Sequence, residues 1–146
     1  MGRSLSGQGA RLGAEAKLIR PALLDASFLI ALERETARRE VGPARRRLAS
    51  LRGRRLVVSV VTVEEVLEGA RDEASALASL QRFAIQGLHT AQARRCALLQ
   101  RRSSRRTGEN DAWLVATAES LAADVVGADR RAFERLGRRY LRFDLS

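Results

Sequence analysis

A chain of 146 residues with an apolar fraction of 45% is long enough for one folded domain with a real core and short for two. No apolar run approaches the roughly 20 residues that cross a bilayer, and the first residues lack the apolar segment of a secretory leader. Its formal net charge is +10, and of the 27 basic residues only Lys17 is not an arginine.

Such a charge, with arginines grouped at 45–47, 101–106 and 138–139, draws phosphate backbones. An aromatic fraction of only 4% argues against a base-stacking platform, so contact with nucleic acid is expected to be electrostatic and salt-sensitive. A solvated basic surface and an acidic protein partner are the other readings. The single cysteine, Cys96, cannot close an intrachain disulfide, which fits a reducing cytoplasm.

In chain order, residues 1–17 are rich in glycine and serine and read as a disordered extension, with the folded domain spanning residues 18–146. Leu18 to Leu24 reads as a buried strand. Ser27 is positioned to cap a helix over Phe28 to Thr36. Proline at the first turn and Gly53 as a stop bracket a second helix, Pro43 to Leu51. Arg55 to Val61, short and β-branched, predicts a central parallel strand. Helices follow over Thr62 to Ala70 and Glu73 to Phe83, then a short strand over Gln86 to Thr90 and a helix over Ala91 to Arg102. After an arginine-rich loop comes an amphipathic helix, Asn110 to Ala122. A strand at Asp124 to Ala128, a short helix at Arg130 to Leu136 and a strand at Arg139 to Phe143 complete the set. Alternating strands and helices predict an α/β, three-layer α/β/α sandwich with a mainly parallel sheet.

Four acidic residues stand where strands hand over to helices or where a helix opens: Asp25, Glu65, Asp111 and Asp129. Each has an ordinary explanation. Asp25 and Asp129 suit turns or helix caps, Thr62-x-x-Glu65 has the form of a capping box, and Asp111 in a first helical turn is favoured by the macrodipole. Periodicity does not choose among Glu64, Glu65 and Glu68, which all lie away from the Val63, Val66, Leu67, Ala70 face. Taken together, the four positions converge along one edge of a parallel sheet, where ligands bind. Carboxylates crowded there repel unless a cation compensates. All-oxygen ligands suit Mg²⁺ or Mn²⁺. With one histidine, His89, and one cysteine, zinc is disfavoured, and His89 reads as structural. The chemistry this suggests is a metal-assisted nuclease.

The chain resembles the PIN-domain ribonucleases, and among them the VapC-type toxins of toxin–antitoxin pairs, over about Ala22 to Phe143. Leu23-Leu24-Asp25-Ala26-Ser27 is similar to the opening motif, Val58 to Ala70 to the second, Glu109 to Ala118 to the third and Val125 to Leu136 to the fourth. The resemblance selects Glu65 as the acid of the second motif. It implies that Asp25 and Asp111 are the principal ligands of Mg²⁺ or Mn²⁺, and that Ser27 supports Asp25. It also implies that Glu65 binds metal or orients water, and that Asp129 completes the pocket. The fourth motif departs from the pattern: Gly127 stands where a threonine is usual, and Ala132 where a second acid is frequent. The implied activity is endoribonucleolytic, leaving 5′-phosphate and 3′-hydroxyl ends, with RNA as substrate, a cognate antitoxin as partner and a homodimer as assembly. Separately, with no apolar run long enough to span a bilayer, no membrane association is expected.

Two other α/β classes fail on residues. A phosphoryl-receiver domain needs a late lysine and none follows Lys17, while a dinucleotide fold wants glycines after the first strand, where Asp25 to Leu29 has none. The remaining alternatives are a PIN-fold RNA-binding or assembly module without catalysis, and a housekeeping nuclease for ribosomal RNA.

Overall fold

The computed structural model describes residues 19–128 and 134–144. The extension expected over residues 1–17 and most of the short helix expected from Arg130 lie outside them. Among the described residues five short strands form one sheet: β1 (Ala22–Leu24), β2 (Leu56–Ser59), β3 (Ala84–Gln86), β4 (Asp124–Gly127) and β5 (Tyr140–Arg142). Their order is β3-β2-β1-β4-β5, and every pairing is parallel. The connections are α1 (Ala26–Arg38), α2 (Pro43–Ser50), α3 (Val60–Glu68), α4 (Glu73–Leu80), α5 (Thr90–Arg102) and α6 (Glu109–Leu121). A 3-10 segment, Glu134–Arg139, kinks at Gly137 before β5. None of the described helices is long and apolar enough to cross a membrane.

The period-two geometry of the strands divides the core into two layers. Ala22, Leu24, Val58 and Val126 face a layer containing Phe28, Leu32, Val66, Leu80 and Phe83. Leu23, Val57 and Val125 face the other, formed by Leu114, Val115 and Ala118 of α6. Both sheet faces are covered, which is why the central strands read as continuous apolar runs rather than alternating ones. Phe28 and Phe143 meet edge to face, with ring centroids 5.2 Å apart, a geometry that adds to the area they bury. On the second side α5 and α6 pack through Cys96, Ala112 and Ala116, where small side chains let the helices approach closely.

Several boundaries differ from expectation. The helix after β1 is capped by Asp25, not Ser27: the Asp25 carboxylate accepts from Ala26 N at 2.7 Å. The Thr62-x-x-Glu65 capping box does not form. Ser59 is the N-cap of α3, its hydroxyl accepting from Val61 N, so Val60 and Val61 are helical rather than extended. β3 lies at Ala84–Gln86, earlier than expected, because His89 already caps α5, its backbone N–H donating to Gln92 Oε1 at 2.9 Å.

Glu35 caps a helix that is not its own. Its carboxylate accepts from the backbone N–H groups of Gly42, Ala44 and Arg45, each at 2.9 Å, closing the amino end of α2. A Cβ at residue 42 would come within 2.7 Å of that carboxyl group, so a larger residue there would have to displace the Glu35 cap. Burial pushes the Glu35 pKa up, but the three N–H bonds and nearby Arg46 outweigh it, and the net shift is downward. The stabilisation is therefore full above the unfolded value near 4.5 and is lost as pH falls through the lower native value. Glu35→Ala should cost about 1 kcal/mol at neutral pH. Thermal melts of both proteins should converge in strong acid.

Candidate active site

All strands point the same way, so β1, β2 and β4 end along one edge, and α6, which runs back against them, begins there. Among the described residues three acids reach that edge, each by its own route. Asp25 follows β1 directly, Glu65 lies in the second turn of α3 just after β2, and Asp111 sits in the first turn of α6. Asp129, expected after β4, lies outside the described residues. The strand order reverses direction about β1 and β4, which makes the crevice between their ends the topological switch point.

Asp25 is the most constrained of these side chains and is only 9% exposed. Its backbone N–H extends the β1–β4 ladder by donating to Val126 O at 2.9 Å. Its Oδ1 accepts from Ala26 N, and its Oδ2 accepts from the Ser27 hydroxyl at 2.9 Å. The same Ser27 oxygen accepts from Ala128 N at 3.0 Å. One hydroxyl thus joins the start of α1, the Asp25 carboxylate and the end of β4.

Gly127 completes this junction. A Cβ built there would stand 2.8 Å from Asp25 Oδ2 and 3.1 Å from Asp25 Cβ. The carboxylate occupies the space that a threonine side chain at this position would need. In the sequence Gly127 stands out only as a departure from a motif. Its close approach to Asp25 depends on tertiary pairing, and the sole local signal is a glycine ending a β-branched run.

Of the three glutamates in α3, Glu64 and Glu68 are exposed, whereas Glu65 is half-buried. The Glu65 pKa is raised, first by burial and then by the negative charges of Asp25 and Asp111, with smaller contributions from Glu64 and Glu68. The structure therefore couples Asp25, Glu65 and Asp111 electrostatically. Thr62, one helical turn before Glu65, is fully buried, and its hydroxyl has no hydrogen-bond partner among the described residues. Such an orphan in a packed interior calls for a water or ligand oxygen. Among the described residues no group of three or more acids, histidines or cysteines stands close enough together to hold a metal ion.

The PIN domain family model matches residues 22–139, and the chain belongs to that family, whose members are generally nucleases. No curated protein sequence matches it. Among solved structures the chain is similar to a toxin–antitoxin complex from Klebsiella pneumoniae, at 22% identity and a TM-score of 0.66, over 83% of this chain and 99% of that one. It is also similar to FitAcB from Neisseria gonorrhoeae, at 17% identity and a TM-score of 0.67, over 86% and 99% of the two chains. A third likeness is to DNA-bound VapBC from Salmonella typhimurium, at 21% identity and a TM-score of 0.64, over 84% and 97%. At these identities the likeness is one of fold.

Two outcomes follow from the geometry. Because the native pKa of Glu65 is raised, its stability contribution is complete below the unfolded value of 4.5 and is lost as pH rises through the native value. Glu65→Gln should therefore melt higher than the native protein at neutral pH in chelator, and the gap should close in acid. Gly127→Ala should destabilise by about 1–3 kcal/mol, the usual cost of overpacking, in chemical denaturation.

Proposed function

We propose that this chain is a divalent-metal-dependent endoribonuclease of the VapC kind, the toxin of a toxin–antitoxin pair, working in the cytoplasm as a homodimer. The feature that carries the reading is the gathering of Asp25, half-buried Glu65 and Asp111 along the carboxyl edge of the sheet in a PIN domain. A repulsive acid cluster costs stability, and a cation there removes the cost. Similar structures include a toxin–antitoxin complex and VapBC, which supports an antitoxin partner for this chain as well.

Asp25 and Asp111 would hold Mg²⁺ or Mn²⁺, with Glu65 beside them and Asp129 as the fourth acid. Bound there, such an ion lowers the pKa of water and steadies the charge that develops on a phosphate. Ser27 fixes the Asp25 carboxylate, so the ligand needs little reorganisation when a cation arrives. Glu65, more readily protonated than an ordinary glutamate, is suited to orienting the attacking water. Arg105 and Arg106 are exposed in the loop that leads into α6, next to this edge, and would position RNA through its phosphates.

Cleavage of structured RNA by the purified protein should require Mg²⁺ or Mn²⁺, stop in EDTA, and fall to background in Asp25→Asn and Asp111→Asn. Ser27→Ala, which removes a support rather than a ligand, should cost roughly 10–100-fold in activity or metal affinity. Cleavage that survives EDTA and both aspartate changes would overturn the reading. RNA binding without cleavage, across substrates that include the cognate RNA, would favour a non-catalytic module.

A further inference from the structure

The opposite edge of the sheet is hollow and basic. Arg20 precedes β1, Arg52 and Arg54 lie between α2 and β2, and Arg138 and Arg139 precede β5. With Asp124 at the start of β4 they line a cavity of about 540 Å³. In an all-parallel sheet these positions fall together at the amino ends of the strands. The only carboxylate among them is already engaged: Asp124 Oδ2 meets Arg54 at 2.6 Å, and Arg20 stands 3.7 Å from its other oxygen. Arg52, Arg138 and Arg139 have no acidic partner among the described residues. Beyond the wall formed by Arg52, Gly53 and Arg54, a second hollow of about 620 Å³ adds Arg45 and Arg82.

An arginine-rich composition places guanidinium groups everywhere, but it does not by itself bring five around one concave surface. Their mutual repulsion is relieved by an anion, and the guanidinium fork matches a phosphate's oxygens. Apart from Ile19, the first hollow offers no large apolar side chain to anchor a peptide, and no aromatic ring on which a base could stack. Its chemistry reads phosphate and charge, not sequence.

We propose that this track seats the phosphate backbone of RNA away from the acidic edge, with Arg52, Arg138 and Arg139 as its principal contacts. The proposal rests on the nucleic-acid reading above and adds a second contact surface to it. The strands between the two edges are three or four residues long, or roughly 13 Å at the usual rise. An RNA of a few tens of nucleotides is therefore long enough to touch both.

The test is RNA binding in EDTA, where no cleavage occurs, followed by fluorescence anisotropy of a labelled single-stranded RNA on the Asp111→Asn background. Arg52→Gln, Arg138→Gln and Arg139→Gln together should weaken binding about tenfold or more at physiological salt. The dependence of log K on log salt should flatten by about 2, at roughly 0.7 for each phosphate no longer neutralised. Arg54 is left intact because it ties Asp124 and the Arg20 and Pro21 carbonyls. A control with equal charge change, Arg34→Gln, Arg38→Gln and Arg94→Gln, should leave the slope nearly unchanged. Melting temperatures should agree among the three proteins.

If both triple variants weaken binding equally, only net charge is at work and the track is wrong. Poly-glutamate that displaces RNA charge for charge, with the track triple insensitive to it, would assign the surface to acidic protein and likewise overturn the proposal. Failure of the nuclease reading looks different. The native protein would then cleave nothing with divalent ions, while the track triple would still lose RNA binding.

Discussion

Ala22, Leu23 and Leu24 pair along their whole length with Asp124, Val125 and Val126, and the ladder continues one step further where Asp25 N–H meets Val126 O. That pairing is what the rest depends on. It places β1 in the middle of the sheet, divides the core into two layers, and brings Gly127 against the Asp25 carboxylate. A slip of one residue would exchange Val125 and Val126 between the layers, and it would put a side chain where the carboxylate now lies. At the other end of the same strand, Asp124 is held by Arg54, which also binds the carbonyls of Arg20 and Pro21 ahead of β1. β4 is therefore fixed at both ends, by an ion pair at its start and by the Ser27 hydroxyl at its finish.

Most of the architecture is legible in the residues, because the strands are buried on both faces and the helices between them have clear punctuation. Proline at the start of α2 and Gly53 beyond its end behave as their backbone chemistry dictates, Gly53 adopting a φ of 85°. Expectation fails where two local signals compete. Val60 and Val61 favour a strand by propensity, yet Ser59 caps the chain into a helix before them, a local cap overriding a weak preference. Asp25 and Ser27 both have capping side chains, and local sequence does not rank them. The fold does, by giving Ser27 a second partner in Ala128 that lies 101 residues away.

The acidic edge shows the same limit. Sequence periodicity leaves three glutamates of α3 equivalent, and packing separates them by burying only Glu65 beside Asp25 and Asp111. The burial that raises its pKa is a property of the assembled layers and has no signature in a short window of sequence. Nor does the role of Gly127, whose importance is the room it leaves for another residue's side chain. The Glu35 cap is similar, since it joins a glutamate in one helix to the backbone of the next and fits no local capping motif.

The Ser27–Ala128 bond has a consequence for the order in which the molecule forms. Contacts of such long separation close late, after the local helices and the α5–α6 pair, because the loop entropy must be met first. During synthesis β1 emerges early but lacks its β4 neighbour until almost the whole domain has been made. Until then Asp25 has neither its ladder partner nor the junction that anchors Ser27 to β4. Organisation of this acidic edge is thus deferred until β4 is in place, and a truncated or partly folded product holds the same carboxylates without their alignment.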